Sequence, residues 1–499
     1  MKSPFTSCLP VAESFPKNLA GVARLYRVSL VALALVLSAH AGRAAGLPPS
    51  DRVVAALLRQ LPKEVGGEDS ASTKKVADFY ARAGFAPVWT RTEGVTPEAQ
   101  AGVTLLVSAA RYGLKPAEYQ ATELVALFDS LSISDDQAPA RRVRAEHQLS
   151  AALLRFTQHL HEGRITSSDL RPTASTIAAA FDGVAHLQYA LHSGRFAEAL
   201  LEAQPASRSY VRLLRAWQRL LDTDSAAAKR VAQPVAINLE RLRWEPGADS
   251  LYLAVNIPSY TLQVVRGAKV AASHRVIVGK AITPTPELYS RVTFMQAAPE
   301  WRVPQSIAAN EMLPKLRRDP GFLDDRGFEL YNAAGKRVNP YRVDWNAVTP
   351  EAFPYQIRQA PSEDNALGEV VFRFANPYSV YMHDTPAKKA FQANARALSH
   401  GCIRVEKPVA LARFLLERDG KNAASRVNDL QNSIDSGRTK AIGLQAPVTL
   451  LVRYLTCEAD GDQLRQLPDI YGRDKALAHA WNDVMPTTLT PLMPMLAQR

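Results

Sequence analysis

Leu251-Tyr252-Leu253-Ala254-Val255-Asn256-Ile257, closed at once by Pro258-Ser259, is where this chain changes character. A short apolar run rich in strand-forming residues, ended by turn residues, reads as a β-strand entering a hairpin. Tyr260 to Val265 and His274-Arg275-Val276-Ile277-Val278 repeat the pattern, with Arg266-Gly267 as punctuation between them. Val370 to Phe374, Ser379 to Met382 and Val448 to Tyr454 continue the series. Before residue 236 the apolar spacing is three to four residues instead, in Asp51 to Leu58, Glu98 to Ala110, Arg141 to His161 and Tyr210 to Leu221, which predicts helices. The expected fold class is therefore α+β, with an N-terminal all-α scaffold over 46–235 and a mostly β domain over 236–480. Within the second part, Glu311 to Arg317 reads as helical, and Gly, Pro, Asn and aromatic residues follow without a period. Long connections of this kind near a site are commonly lids, so 305–361 is expected to be a capping insertion. Residues 481–499 read as a C-terminal tail.

Some local readings matter later. Asp222-Thr223-Asp224-Ser225 with Ala226 to Lys229 is expected to be the loose end of the helical half. His159-Leu160-His161-Glu162 does not fit the His-Glu-x-x-His zinc pattern and is expected to be a solvated helix end closed by Gly163. Pro408 to Leu416 reads as a helix with Pro in its first turn.

The chain has 499 residues, of which 47% are apolar, enough for more than one buried core. Its formal net charge is +12, and residues 1–45 carry +4 of it. A moderately basic surface suits an anionic polymer or serves solubility. No Lys/Arg block or aromatic-spaced basic strand is present, so nucleic acid is not expected as a partner. Arg24 and Arg27 precede the apolar run Val28 to Leu37, and small residues follow to Ala45. That is the order of a secretory signal, cut after Ala41 or Ala45, and it predicts an exported protein that meets the membrane only through this segment. An uncleaved anchor is the competing reading, because the segment before the apolar run is long. Beyond Cys8, only Cys402 and Cys457 remain; Cys457 is expected to be a small buried core residue rather than a disulfide partner.

Cys402 sits in Ser399-His400-Gly401-Cys402-Ile403-Arg404-Val405, nineteen positions after the His383 of Tyr381-Met382-His383-Asp384-Thr385-Pro386. A thiol needs a base or a positive neighbour before it is a good nucleophile, and His383 is the candidate base. Gly401 can take backbone angles closed to other residues and bring amides, that of Cys402 among them, close to a developing oxyanion. A third group must fix the imidazole tautomer: the Asp384 side chain or a backbone carbonyl near residue 384. His400 is an alternative base, although a side chain next to the nucleophile tends to point elsewhere. Arg404 and Arg396 either bind a substrate carboxylate or pair with local acids such as Glu406. His383, His400 and Cys402 lack the tight spacing of a metal site, so neither metal nor other cofactor is expected. A papain-like peptidase would place Cys before His, the reverse of this order.

Residues 371 to 407 resemble the signature of the L,D-transpeptidase (YkuD-type) catalytic domain. The resemblance extends through Asn238 to Trp244, Asn256-Ile257-Pro258, Arg275 to Lys280, Trp301-Arg302-Val303-Pro304 and Asp469 to Asp474, and through Ala77 to Tyr80 with Trp89 in the helical half. These stretches resemble the large periplasmic YcbB-like subgroup. The resemblance implies a mostly β YkuD-like catalytic domain with a capping insertion and a helical scaffold. It implies Cys402 as nucleophile and His383 as base, with Ser399, Gly401 and Arg404 in supporting positions. It implies peptidoglycan stem peptides as substrates and carbapenem-type β-lactams as covalent inhibitors. The subgroup's small peptidoglycan-binding helical module has no counterpart between about Asp222 and Val235. Water or a protein lysine as acyl acceptor, giving an L,D-carboxypeptidase or an anchoring enzyme, fits the same residues; a murein-binding scaffold with a degenerate site is a reading from another class.

Overall fold

In this computed structural model, residues 47–60, 70–132, 137–172, 181–247 and 249–483 are described. The expected signal segment lies outside them.

The first half is helical because its apolar stripes recur at helical spacing and its helix ends carry cap residues. Thr96 accepts the Ala99 amide at 3.2 Å ahead of the helix Pro97–Val107, and Ser207 accepts the Tyr210 amide at 3.3 Å ahead of Arg208–Thr223. The long helix Ala138–Glu162 forms the spine of this half. Its Glu146 is fully buried, and its carboxylate gathers the Tyr80 hydroxyl at 2.7 Å and the amides of Val88, Trp89 and Thr90 at 2.6–2.9 Å. Trp89 stacks on Phe79 with ring centroids 6.1 Å apart. The aromatic residues of Ala77 to Trp89 thus close around one satisfied buried acid.

Two local expectations differ from the structure. Asp224 caps a 19-residue helix, Ser225–Arg243, by accepting the Ala227 amide at 2.8 Å, so Ala226 to Lys229 is a first turn and not a loose end. Pro234 lies inside that helix; its carbonyl accepts from Asn238 Nδ2 at 2.7 Å. His159 is also no solvated helix end, since its Nδ1 meets the Tyr119 hydroxyl at 2.9 Å and burial holds its pKa down at about 3.

The second half begins at Leu251 and closes on itself. Eight strands form a ring: β1 (Leu251–Asn256), β2 (Thr261–Arg266), β3 (Lys269–Gly279), β4 (Leu288–Ala297), β5 (Val370–Phe374), β6 (Met382–His383), β7 (Ile403–Val405) and β8 (Lys440–Arg453). The spatial order is β3-β7-β6-β5-β4-β8-β1-β2, and β2 pairs back onto β3. β6 with β7 and β8 with β1 run parallel; the other pairs of the ring are antiparallel. Closure removes the exposed edges of an open sheet. Leu253, Val255, Val276, Val278, Val292, Phe372, Met382, Ile403 and Leu450 share one apolar core, which the helices Pro408–Glu417 and Ala423–Ser436 extend.

Between β4 and β5 the chain leaves the barrel and builds a separate small unit. Trp301–Arg302, Gln356–Gln359, Phe328–Tyr331 and Arg337–Val338 form its four-stranded sheet. Leu313, Leu316, Leu323, Leu330, Trp345 and Ile357 fill a core of its own.

The two halves are joined by Ser225–Arg243 and by the C-terminal segment beyond the barrel. Leu239 and Leu242 pack with Tyr210, Trp217, Leu455 and Cys457. Cys457 is buried there with a free thiol. Asn238 exchanges bonds with Thr456, and Arg241 pairs with Asp474 at 2.6 Å. The last described helix, Arg473–Asp483, returns to the first half, where Arg164 lies 3.9 Å from the Trp481 ring centroid and donates to the Trp481 carbonyl at 2.8 Å. No helix among the described residues is long and apolar enough to cross a membrane.

Candidate active site

β6 and β7 are parallel neighbours, so the chain between them must cross over, and His383 and Cys402 stand at the two ends of that crossover. The register pairs Met382 with Ile403 and His383 with Arg404. Met382, Ile403 and Val405 point into the barrel core at 0% exposure. Alternation along a strand therefore turns Tyr381, His383, Cys402 and Arg404 to the barrel's outer face. Arg373 of β5 joins them, with its guanidinium 4.8 Å from the Tyr381 ring centroid and its Nη2 donating to Gln296 at 3.2 Å. The Tyr381 and His383 rings are 5.4 Å apart.

His383 Nδ1 is 2.5 Å from the Asp384 carbonyl oxygen, which can only accept, so the proton sits on Nδ1 and Nε2 carries the lone pair. The group that fixes the tautomer is thus the backbone carbonyl of residue 384. The Asp384 carboxylate is engaged elsewhere, with Lys388 Nζ and the Glu369 amide. Burial, with help from the Arg404 and Arg373 charges, lowers the His383 pKa to about 3. Burial pushes the Cys402 thiol up, against the opposing pull of Tyr381 hydrogen bonds and the charges of Arg373 and Arg404. Both shifts favour a neutral thiol beside a neutral imidazole.

The turn before Cys402 is braced from several sides. Ser399 Oγ donates to the Cys402 carbonyl at 2.6 Å and accepts the Gly401 amide at 3.2 Å. Gly401 has φ +115°, a conformation that L side chains rarely adopt. Thr285 Oγ1 donates to the Gly401 carbonyl at 2.8 Å and accepts the Gly279 amide at 2.9 Å. Tyr471, from the stretch after the barrel, donates its hydroxyl to the Gly279 carbonyl at 2.6 Å. The Cys402 loop, β3 and the C-terminal segment are thereby one hydrogen-bonded unit.

Other expected residues are placed differently. His400 turns outward, and its Nε2 lies 2.6 Å from Glu311 of the insertion. Arg396 donates to the carbonyls of Val276, Ala393 and Tyr260 and covers the Tyr260 ring, so its guanidinium is occupied by backbone. Arg404 is largely buried, and its Nε has no hydrogen-bond partner among the described residues. Glu406 pairs with Arg275 at 2.7 Å rather than with either. A cavity of about 820 Å³ opens between the insertion and the crossover, lined by Trp301, Glu311, Phe322, Phe328, Gln359 and Pro386. Among the described residues no group of three or more His, Cys, Asp or Glu is placed to hold a metal ion.

Tyr381, Arg373, Thr285, Tyr471 and Glu311 were not read from the sequence as site residues. Tyr381 carried a signal, two positions before His383 on the same strand face. Arg373 and Tyr471 lie in stretches that carry the family resemblance, whereas Thr285 and Glu311 come from segments that only strand register and packing bring in.

Comparison with known proteins agrees with this architecture. Residues 250–428 match the family model of the L,D-transpeptidase catalytic domain (YkuD), and residues 74–216 match that of the Scaffold domain. A Haemophilus influenzae protein named "Putative L,D-transpeptidase" is 27% identical over 420 residues, covering 84% of this chain and 81% of its own. An L,D-transpeptidase from Mycobacterium smegmatis is 13% identical over 42% of this chain and 59% of its own, with a TM-score of 0.18. L,D-transpeptidase 1 of Mycobacterium tuberculosis is 14% identical over 41% of this chain and 62% of its own, with a TM-score of 0.16. Those two superpositions are too slight to carry an argument. Residues 250–428, which include both His383 and Cys402, are thus an L,D-transpeptidase catalytic domain of the YkuD type, preceded by a Scaffold domain.

Proposed function

We propose that the protein is a periplasmic peptidoglycan L,D-transpeptidase that forms 3→3 cross-links through a Cys402 thioester. The observation that carries this reading is the pairing of β6 with β7, which sets His383 and Cys402 on one face while the Asp384 carbonyl leaves Nε2 unprotonated. Cys402 Sγ attacks the carbonyl of the diamino acid in a tetrapeptide donor, and the thiol proton passes to His383 Nε2. The Gly401 amide is held by Ser399, so the Cys402 amide is the oxyanion donor we assign. Collapse breaks the peptide bond, and His383 returns the proton to the leaving D-Ala amine. The side-chain amine of a neighbouring stem then attacks the thioester, loses its proton to His383, and the sulfur leaves and is reprotonated. One amide is broken and one formed, and no metal or other cofactor takes part. Arg404 and Arg373 supply positive charge beside the reacting atoms and favour the developing anion. The insertion over this face excludes water and so favours aminolysis over hydrolysis.

The test is incubation with defined tetrapeptide muropeptides, followed by mass spectrometry of the products. Tetra-tri dimers carrying a 3→3 bond are expected. Products of hydrolysis alone make the protein an L,D-carboxypeptidase, and stems attached to a protein lysine make it an anchoring enzyme. Cys402→Ala is expected to abolish dimers and the mass shift caused by a carbapenem while leaving Tm within a few degrees. A variant that still makes dimers refutes the assignment of the nucleophile.

A further inference from the structure

Away from Cys402, a second cavity of about 320 Å³ lies in the joint between the halves. The first turns of Arg208–Thr223 cover it, and the outer faces of β1 and β2 with the hairpin after β8 form its floor. Four arginines line it: Arg208 and Arg212 from the helix, Arg453 from the end of β8, and Arg465 from the hairpin, which pairs with the cavity's acids. Arg208 donates to the Ala268 carbonyl at 2.9 Å and Arg212 to the Gly461 carbonyl at 3.0 Å. Among the described residues, neither has a carboxylate within ion-pair distance. Arg453 faces Glu245 at 3.3 Å, yet its Nε has no partner among the described residues although Arg453 is only 7% exposed.

The cavity's two acids are already engaged. Glu458 accepts from Asn256 at 3.0 Å and pairs with Arg465 at 3.1 Å, while Asp460 lies 4.0 Å from the same guanidinium. Burial and the charges of Arg212 and Arg453 push the Arg208 pKa down, the sign expected when like charges crowd in a partly enclosed space. Water can fill such a cavity but does not neutralise it. A group with two acceptor oxygens fits the guanidinium fork and offsets the repulsion.

We propose that this cavity binds a small oxyanion, a carboxylate or a phosphate, that bridges the scaffold helix Arg208–Thr223 to the barrel. The site is independent of the thioester chemistry, and its occupant acts as a removable cross-brace between the halves.

The test is thermal melting of the full chain with sodium phosphate and, separately, sodium acetate, against sodium chloride at matched ionic strength. A saturable rise in Tm over the chloride control is expected with at least one probe. The probe that acts alone identifies the occupant as phosphate or carboxylate. Arg212→Gln is expected to weaken the apparent affinity at least about tenfold while leaving carbapenem acylation of Cys402 unchanged. If Arg212→Gln does not fold, Arg208→Gln serves the same comparison. No saturable rise with either probe, or an undiminished rise in the variants, overturns the proposal.

Discussion

At Cys402 and His383 burial sets the protonation state. The thiol is pushed up and the imidazole down to about 3, so proton transfer between them is uphill until a substrate oxygen gathers the charge. The sign has a direct readout. Alkylation of Cys402 by iodoacetamide, with Cys402→Ala as blank, is expected to rise about tenfold per pH unit from pH 6 to above pH 8, following a scarce thiolate. A rate that stays level across pH 5–7 signals a resting thiolate–imidazolium pair and contradicts the neutral one. Both residues stand out in the chain as candidates because a thiol and an imidazole at this spacing have few chemical alternatives to the roles proposed for them. The outward turn of His400 to Glu311 and the capture of Arg396 by three carbonyls could not be read that way. A guanidinium's partners are chosen by tertiary packing, which local sequence does not encode.

Among the elements, helix ends show how much a single position decides. Gly163 ends the helix Ala138–Glu162 at φ +80°, and a Cβ there would lie 2.5 Å from Glu240 Oε1 and 2.8 Å from Trp244 Nε1. That same carboxylate takes the amides of Arg164 and Ile165 at 2.5 and 2.7 Å, so it has no room to retreat. Gly194 has a similar φ of +70° with nothing within 4 Å of its absent Cβ. Gly194→Ala is therefore expected to cost about 1 kcal/mol from backbone strain alone. Gly163→Ala is expected to cost roughly 2–4 kcal/mol once the broken contact is added, as chemical denaturation would measure. Equal costs would mean that Glu240 yields. The Gly163 stop is visible in the sequence; the helix after Asp224 is less so. Pro234 costs that helix a backbone donor, and the buried face from Val235 to Arg243, packed against both halves, shows why the helix persists.

At the scale of the molecule, the apolar periods divide the chain correctly into a helical and a strand-rich half, because each period follows from backbone geometry. Barrel closure was not legible, since the pairing of β2 with β3 and the crossover to β7 depend on long-range register. Nor was the return of the last helix, where Trp481 is 5% exposed against Arg164, itself paired with Glu118 in a buried salt bridge. Trp481→Ala is expected to cost about 3–5 kcal/mol and to split calorimetric unfolding into two transitions, the helical half melting first. A single transition at unchanged Tm would show that the halves do not depend on this contact. The crossover between β6 and β7 has one more consequence. His383 and Cys402 are held side by side by β5 and β3 flanking their strands, and not by the peptide that connects them. A protease nick among Lys388–Gln392 would put the two partners on separate polypeptides and still leave them in register. The chemistry could then be rebuilt from two fragments, each inert by itself.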